Sequence, residues 1–512
     1  MAARLVATKR TLARNVLANW TGVVAQIVVA FFLTPFIVHA LGLATYGVWS
    51  LLNSLVGYMG LIDLGIRGSV GRFLNQYLAR EEPDRVREVL STSLAFLSAG
   101  AALAVVVATG VGYFFGALFP HTPPELLDDI RMALPLLAAG LLLSFWGAVY
   151  HSLVVAFDRF DLSNAIGLLG LALRVGLTVL VLMQGGGLVG LVWVMVGTVL
   201  TVAVLNGWLA ARLFPGSGFA RRWVSRERFR EMWKFGTVAF TSRTASTIAV
   251  QAAPVIAMTF IGPVAVGIYS IAQQLLQICQ RVVEQLGTVI YPSVMKLGGV
   301  EDRAGLKNVF LWYSRLVFLV GGLLYLGVIA FGPAFIGLWV GPDFAEAGLV
   351  ARILAAGDLL MLAGSTATLT LFSLGRLKIN LQVSVAEAIA MVLLAVLFAG
   401  PLAMGLPGLA LGTALPMVVA RGIAYPLAAA RAIDLSYPAY LAKTAARVGA
   451  VAILIVPAFL YLEELFGART WPTFFVAVAA ATALYAVVAA PILLGWEGRT
   501  KVLELLRARR NA

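Results

Sequence analysis

Long apolar runs, separated by short charged or Pro/Gly-rich breaks, follow one another along almost the whole chain. A run of about 20 apolar residues matches a helix that crosses a bilayer. Fourteen such spans are predicted, at 15–38, 45–66, 90–118, 131–156, 164–184, 187–211, 235–260, 265–290, 309–332, 347–374, 379–400, 405–430, 445–462 and 472–495. Segments such as 101–107 are continuously apolar instead of alternating, which argues against a membrane barrel. The pattern therefore predicts an all-α polytopic membrane protein.

The composition agrees with this prediction and narrows the chemistry. Of the 512 residues, 61% are hydrophobic and 12% are charged, whereas roughly 25% are charged in a soluble domain. A single cysteine, Cys279, and three widely separated histidines provide no disulfide and no metal-binding pair. The chain also lacks a phosphate-binding P-loop. We expect neither a metal nor a cofactor.

The basic residues predict the orientation in the membrane. There are 38 Lys and Arg against 24 Asp and Glu, a net charge of +14. With the N-terminus in the cytoplasm, about 30 basic residues lie on the cytoplasmic side and about three (Arg131, Arg352 and Arg469) on the other. This asymmetry predicts a cell (inner) membrane protein with both termini cytoplasmic. The positive charge is expected to attract anionic lipids and not nucleic acid.

An internal repeat predicts the domain organisation. Segment 41–50 matches segment 261–270 in residue class, with Gly42 and Gly47 aligned to Gly262 and Gly267 (262 − 42 = 220). Six predicted spans separate the two copies, which makes the repeat parallel, as in some two-lobed transporters with a substrate path between the lobes. The predicted parts are an N-lobe (1–211), a basic cytoplasmic linker (212–234), a C-lobe (235–430), two further spans (431–498) and a basic tail (499–512). Each lobe is expected to contain six helices.

Charged residues inside the predicted spans are the main functional evidence. Burying each of them in a membrane costs at least a few kcal/mol, and such residues usually face an interior or a water-filled cavity. They are Arg174, Arg243, Arg281, Glu284, Arg315, Asp358, Glu387 and Arg421. The arginines outnumber the carboxylates, which suits a ligand that carries phosphate. Salt bridges to the carboxylates, or guanidinium groups that reach the headgroups, are the alternatives.

The eighth predicted span carries a polar stripe. Gln273, Gln277, Gln280 and Glu284 are spaced by 4, 3 and 4 residues, which places them within an arc of roughly 60° on a helix. Glutamines that faced lipid would leave unpaired amides, so the stripe is predicted to form a cavity wall. The alternative is hydrogen bonding between helices. Glu284, Asp358 and Glu387 are candidates for ion or proton coupling, or they neutralise the arginines.

The N-terminal residues resemble the polysaccharide-biosynthesis, or lipid-linked oligosaccharide, flippases of the multidrug/oligosaccharidyl-lipid/polysaccharide exporter superfamily. The resemblance covers about the first 90 residues closely. It rests on a proline in the first helix, on LG followed by YG, and on DLG at the end of the second helix: Pro35, Gly42, Tyr46, Gly47, Asp63 and Gly65. Asp63 is expected to cap a helix, to pair with Arg67 or to face the substrate path.

This resemblance implies a two-lobed bundle that moves an undecaprenyl-pyrophosphate-linked oligosaccharide from the inner to the outer leaflet by alternating access. Such a protein takes part in surface polysaccharide biosynthesis, alongside polymerase or export components, and is not an enzyme. The depth of the polar side chains within the predicted spans indicates which of them bind the substrate. The pyrophosphate is predicted to contact Arg174, Arg243, Arg281 and Arg421, and the sugars are predicted to contact Gln273, Gln277 and Gln280.

Three alternatives compete with the flippase. One is a cation-coupled multidrug exporter of the same superfamily, which the excess of deep arginine disfavours. Another is a membrane glycosyltransferase or polymerase, which the short outer loops and the lack of an evident set of catalytic carboxylates disfavour. The last is a non-transporting lipid-binding scaffold, which leaves the repeat and the deep charges unexplained.

Overall fold

The computed structural model describes residues 9–510, with side-chain detail for all of them except 9–21, 23, 237–239, 242–243, 289, 445 and 494–510. About 89% of the protein is helical, and the described residues contain no strand. The prediction of an all-α protein is confirmed.

Eighteen α-helices follow one another along residues 9–510. They are α1 (Lys9–Leu41), α2 (Leu43–Met59), α3 (Ile66–Ala79), α4 (Pro83–Tyr113), α5 (Phe115–Leu118), α6 (Leu127–Ala156), α7 (Phe160–Met183), α8 (Gly187–Leu213), α9 (Arg226–Phe260), α10 (Pro263–Gly299), α11 (Arg303–Trp339), α12 (Ala345–Ser373), α13 (Leu377–Ala399), α14 (Gly405–Met417), α15 (Tyr425–Ala432), α16 (Tyr437–Tyr440), α17 (Ala446–Phe466) and α18 (Trp471–Arg510). Two π-helical segments, Val418–Ala424 and Leu441–Ala445, precede α15 and α17.

The number of helices that could cross a membrane is known only for the described residues, and it does not confirm the predicted number. Within the described residues, eleven helical stretches are long and apolar enough, or twelve if α2 and α3, which meet at a 46° bend, form one span. The predicted count of fourteen is therefore not confirmed. The two predicted spans that fall short lie in α9 and α10, which have 35 and 37 residues. Both helices are long enough to cross a bilayer at 1.5 Å per residue. In α9 the fully described apolar stretch, Thr244–Phe260, is shorter than a full span, and in α10 polar residues such as Gln273, Gln277 and Gln280 interrupt the apolar pattern.

The structure divides into two compact units. Unit 1 comprises residues 1–247 and 262–266, and unit 2 comprises 248–261 and 267–512. The predicted linker, 212–234, lies wholly within unit 1, which extends past the N-lobe boundary predicted at 211. The two spans predicted after the C-lobe belong to unit 2.

The core of unit 1 shows why α3 is a helix. Ile66, Val70, Leu74 and Tyr77 recur at helical spacing and are at most 3% exposed. They pack against apolar side chains of α4 and α6, among them Val86, Leu90, Leu94, Phe145, Val149 and Leu153. Arg72 and Asn75 lie on the exposed face of α3. The amphipathic pattern therefore holds α3 against the span helices.

In unit 2, α11 is the helix against which the chain's last two spans pack. The hydroxyl of Tyr485 in α18 donates a hydrogen bond of 3.2 Å to the carbonyl of Phe318 in α11. The ring of Phe331 in α11 lies 5.7 Å from that of Phe459 in α17 and 6.2 Å from that of Phe474 in α18. Aromatic contacts therefore fix both C-terminal helices to α11.

The internal repeat is visible in the backbone of each unit. Residues with positive φ recur at nearly constant separations: Gly42 and Gly262 (262 − 42 = 220), Glu81 and Glu301 (301 − 81 = 220), Asp158 and Gly375 (375 − 158 = 217), Gly187 and Gly405 (405 − 187 = 218), and Gly216 and Asp434 (434 − 216 = 218). Such left-handed residues mark the turns between helices. The order of helices and turns from α1 to α8 thus repeats from α9 onward.

Candidate functional site

The motif Asp63-Leu64-Gly65 forms the bend between α2 and α3. Leu64 has φ 49° and Gly65 has φ 81°, so both take the left-handed conformation. The Asp63 carboxylate is buried; it accepts hydrogen bonds from the Gly65 N–H at 2.9 Å and from Nε of Arg67 at 2.5 Å. Of the three roles left open for Asp63, the structure contains the pairing with Arg67; the bond from the Gly65 N–H lies in the turn before α3, a helix without a side-chain cap.

Gly65 is required for a second reason, which lies in α9. A Cβ atom on Gly65 would stand 2.8 Å from the carbonyl oxygen of Gly236, and a Cβ on Gly236 would stand 2.8 Å from the carbonyl oxygen of Gly65. Real Cβ atoms do not approach so closely. The DLG turn and α9 therefore touch through their backbones within unit 1, and two glycines permit the contact.

The remaining motif residues shape the connection of α1 and α2. Pro35 lies inside α1, where it lacks the backbone N–H that other residues donate within a helix. Gly42, with φ 75°, separates α1 from α2. Tyr46 and Gly47 are buried in the first turns of α2. These positions lie at or beside the connection between the two helices.

Arg174 lies near the middle of α7, a helix of 24 residues. Its side chain is exposed, and it makes no hydrogen bond or ion pair with any residue that the structure describes. A guanidinium without a partner at membrane depth is costly unless water or a ligand contacts it.

The polar stripe of α10 is present and extends further than predicted. Gln273, Gln277 and Gln280 are partly buried, whereas Arg281 and Glu284 are exposed. Thr288 and Tyr291, also exposed, continue the same helical spacing toward the C-terminal end of α10. The spacing of 277, 281, 284, 288 and 291 is visible in the sequence itself.

Three of the deep charges lie in unit 2 on helices that contact one another. Nε of Arg421 donates to Oε1 of Glu387 at 2.7 Å, and Nη1 of Arg421 lies 2.9 Å from the sulfur of Met361. The Glu387 side chain is 5% exposed and that of Arg421 27%. Asp358 is buried on α12, three residues before Met361. The salt-bridge alternative is therefore the arrangement seen for Arg421.

Local backbone geometry permits this ion pair. Arg421 lies in the π-helical segment Val418–Ala424, and such segments often occur at functional positions. Gly364 of α12 faces it: a Cβ on Gly364 would come within 2.7 Å of the Arg421 Cβ. The glycine lets α12 approach the backbone that carries Arg421.

The other predicted positions lie in both units. Arg243 lies in α9, but its side chain is outside the described residues. Arg174 belongs to unit 1, whereas Arg281 and Arg421 belong to unit 2. Among the residues with described side chains, no group of three His, Cys, Asp or Glu could hold a metal ion. The arrangement offers guanidinium, amide and hydroxyl groups, which bind phosphates and sugars.

Comparisons with known sequences agree with the N-terminal motif. Residues 12–297, more than half of the chain, match the family described as "Polysaccharide biosynthesis protein". The membrane protein EpsK of Bacillus subtilis (strain 168), described as uncharacterized, is 23% identical over 511 residues, which are 97% of this chain and 98% of EpsK. A putative O-antigen transporter of Shigella flexneri is 21% identical over 342 residues, 65% of this chain and 77% of that protein.

Solved structures share the fold. The lipid II flippase MurJ in an inward closed conformation superposes with a TM-score of 0.73 at 12% identity, over 94% of this chain and 99% of MurJ. A multidrug resistance MATE family transporter of the MOP superfamily, in an inward-facing conformation, gives a TM-score of 0.66 at 16% identity, over 76% of this chain and 93% of that one. With the family match, these results confirm the resemblance: the chain belongs to the polysaccharide biosynthesis protein family and has the fold of MOP superfamily transporters.

Proposed function

We propose that this protein is a transporter that moves an undecaprenyl-pyrophosphate-linked oligosaccharide from the inner to the outer leaflet, and that it is not an enzyme. The observation that carries the proposal is Arg174, an exposed arginine without a partner among the described residues, in the middle of an apolar helix. The names of two similar proteins support the choice of substrate, since one is a putative O-antigen transporter and another a lipid II flippase.

The role proposed for Arg174 follows from the chemistry of the substrate. A diphosphate cannot enter hydrocarbon without replacing its hydration. One guanidinium group can donate hydrogen bonds to two phosphate oxygens at once, and it stays charged at any physiological pH. We propose that Arg174 in unit 1 and Arg281 in unit 2, which are exposed, are each able to bind the diphosphate, and that Arg243 is a further candidate. Arg421 can bind phosphate only by leaving Glu387.

The α10 stripe is the proposed surface for the sugars. Gln273, Gln277 and Gln280 offer amide donors and acceptors that match sugar hydroxyls. Thr288 adds a hydroxyl, and Tyr291 adds an exposed aromatic face against which the apolar side of a sugar ring can pack. The stripe is thus suited to a neutral, hydroxyl-rich ligand.

The carboxylates have separate proposed roles. Glu387 neutralises Arg421, since it holds that side chain at 2.7 Å. Glu284 and Asp358 are proposed to take part in coupling to an ion or a proton. For the whole chain we propose a cell (inner) membrane location with both termini cytoplasmic, and a pathway shared with polymerase or export components.

Charge reversal at Arg174 tests the proposal in cells that lack the chromosomal copy. Arg174→Glu should reduce surface polysaccharide at least about tenfold, because a carboxylate repels the diphosphate. Arg174→Lys should retain part of the export, since the charge remains without the paired donors. Arg80→Glu, at an exposed residue between α3 and α4, is the control and should export normally.

The same experiment can refute the proposal. Membrane levels of each variant are measured by immunoblot, so that loss of protein is separated from loss of transport. Normal surface polysaccharide in cells that carry Arg174→Glu would exclude the assigned role of this arginine.

Cation-coupled multidrug export is the second candidate. It is favoured by the shared fold with a multidrug transporter and by the buried carboxylates Asp358 and Glu387. Drug efflux from vesicles that contain the purified protein, abolished by Asp358→Asn but not by Arg174→Glu, would support this candidate over the flippase.

A further inference from the structure

We propose that residues 212–226, here called the strap, form a binding site for the phosphate headgroups of anionic phospholipids. This inference does not depend on the transported substrate. It requires only that the protein lies in a membrane, with the strap at the end of the span helix α8.

The strap is held firmly against unit 1 instead of forming a free loop. The Ala220 N–H donates to the Ser91 hydroxyl at 3.3 Å, and the Ser225 N–H donates to the Thr92 hydroxyl at 2.9 Å. Ser217 is 2% exposed. Two neighbouring side chains of α4 therefore fix the strap at both ends of its Arg-rich part.

Arg228, just beyond the strap, completes this attachment. Its side chain is 2% exposed and pairs with Glu88 at 3.2 Å, with Glu227 at 2.5 Å and with Glu231. Burial lowers the pKa of Arg228, but Tyr77 and the three carboxylates outweigh burial, so the pKa lies above its ordinary value. This arginine is charged and fully engaged by protein groups. It anchors the strap and is unavailable to a ligand.

The strap's own arginines differ from Arg228. The strap contains Arg212, Arg221, Arg222 and Arg226 and no acidic residue. All four are exposed, and none forms an ion pair within the described part of the chain. Four unneutralised guanidinium groups on a fixed backbone are complementary to a negatively charged surface.

Apolar side chains beside these arginines indicate that the surface is a lipid bilayer. Phe219 is 53% exposed and Val224 43%. Trp208, one turn before the end of α8, is 53% exposed, and the Arg212 guanidinium lies 3.9 Å from its ring centroid. Tryptophan is enriched at the membrane interface, and apolar side chains next to arginine are typical of interfacial segments. A soluble anion would leave Phe219 and Val224 in water.

Lipid retention by the purified full-length protein tests the proposal. The protein in detergent is mixed with equal amounts of phosphatidylglycerol and phosphatidylcholine, and bound lipids are counted by native mass spectrometry. Detergent removes the diffuse attraction of a charged bilayer, so retained lipid reports a site. We expect the triple variant R221Q/R222Q/R226Q to lose the preference for phosphatidylglycerol by at least about tenfold, because charge-assisted hydrogen bonds to phosphate are lost.

The control removes three exposed basic residues of unit 2, as Lys296→Gln, Arg376→Gln and Lys378→Gln. It should retain the preference within about twofold, since these side chains are not part of a fixed strap. Equal losses in both triple variants, or no loss in the strap variant, would overturn the proposal. So would displacement of the lipid by inorganic phosphate, which would indicate a site for soluble anions. If the strap variant does not fold, Arg221→Gln and Arg222→Gln alone carry the test.

Discussion

Each unit contains an equivalent crossing of three helices, but different residues fill the contact in the two units. In unit 1, α6 meets α8 at Gly147, whose added Cβ would lie 3.4 Å from the Cα of Ala203. Gly170 of α7 approaches the same part of α8, at Val202. Small apolar residues fill the crossing, and no charge is involved.

In unit 2 a buried ion pair occupies the corresponding place. Arg421 corresponds to Ala203 (421 − 203 = 218), the separation at which α8 and α14 begin. Glu387 corresponds to Gly170 (387 − 170 = 217), the separation at which α7 and α13 begin. The pair is joined at 2.7 Å, and Gly364 lies against the Arg421 backbone.

This difference shows that the fold does not require the ion pair. Unit 1 forms the crossing without it, and apolar replacements of buried pairs are often neutral for stability. The ion pair of Glu387 and Arg421 is therefore a feature of the crossing in unit 2 and not of the helix arrangement that the two units share.

A second difference concerns the second span of each repeat, α2 with α3 in one copy and α10 in the other. In unit 1 the DLG turn breaks the chain into α2 and α3, whereas α10 of unit 2 continues unbroken for 37 residues. Glu284, Leu286 and Gly287 repeat the acid, leucine and glycine in order, but inside a helix. In α10 Gln285 separates the acid from the leucine, and in unit 1 the bend is accompanied by the contact of Gly65 with Gly236.

The largest expected effect comes from separating the ion pair. Arg421→Ala should cost about 3–5 kcal/mol of unfolding free energy, because it leaves the Glu387 carboxylate buried without its partner. The double variant Glu387→Ala/Arg421→Ala, which imitates unit 1, should recover most of this loss. Denaturant titration in mixed micelles measures both. Additive losses in the double variant would show that the two side chains do not interact.

A smaller effect is expected at the DLG turn. Gly65→Ala should cost about 2–3 kcal/mol, since it combines a left-handed backbone with a contact against Gly236. The matched control is Gly68→Ala in α3, where a Cβ meets nothing within 4 Å; it should stabilise the helix by about 0.5–1 kcal/mol. The same titration compares the two variants. Similar behaviour of both would contradict the close approach of the turn and α9.

The smallest effect is expected when Asp63, at the bend between α2 and α3, is compared with Glu284 in the unbroken helix α10. Asp63→Ala should cost about 1–2 kcal/mol, because it removes the hydrogen bonds to Gly65 and Arg67. Glu284→Ala, at an exposed position, should change stability by less than about 0.5 kcal/mol. Melting curves of the purified variants test this order. A larger loss for Glu284→Ala would mean that this carboxylate has a structural partner.

The sequence was sufficient for those parts of the fold that depend on local patterns. A membrane span must satisfy its own backbone hydrogen bonds, so long apolar runs predict helices directly. The repeat around Gly42 and Gly262 was visible because the same turn needs the same glycine. The span count is not confirmed at α9, where the fully described apolar stretch Thr244–Phe260 is short, or at α10, where polar residues interrupt the apolar pattern.

Features that depend on distant contacts could not be predicted. The contact between Gly65 and Gly236, and the docking of 212–234 on α4, join residues far apart in sequence. The position of Arg421 within its predicted span indicates a charge deep in the membrane. Its pairing with Glu387, however, depends on how α13 lies beside the π-helical segment. The mid-helix position of Arg174 was evident from the sequence, whereas its exposure was not.

Translocation by the purified protein in vesicles tests the central claim most directly. Vesicles are prepared with a lipid-linked oligosaccharide in both leaflets, and the outer fraction is removed with an added glycosidase. With the wild-type protein we expect inner-leaflet oligosaccharide to become accessible to the enzyme over time, whereas vesicles with Arg174→Glu should behave like protein-free vesicles. Equal rates for the wild type and protein-free vesicles would contradict the proposed transport, and equal rates for wild type and variant would contradict the role of Arg174.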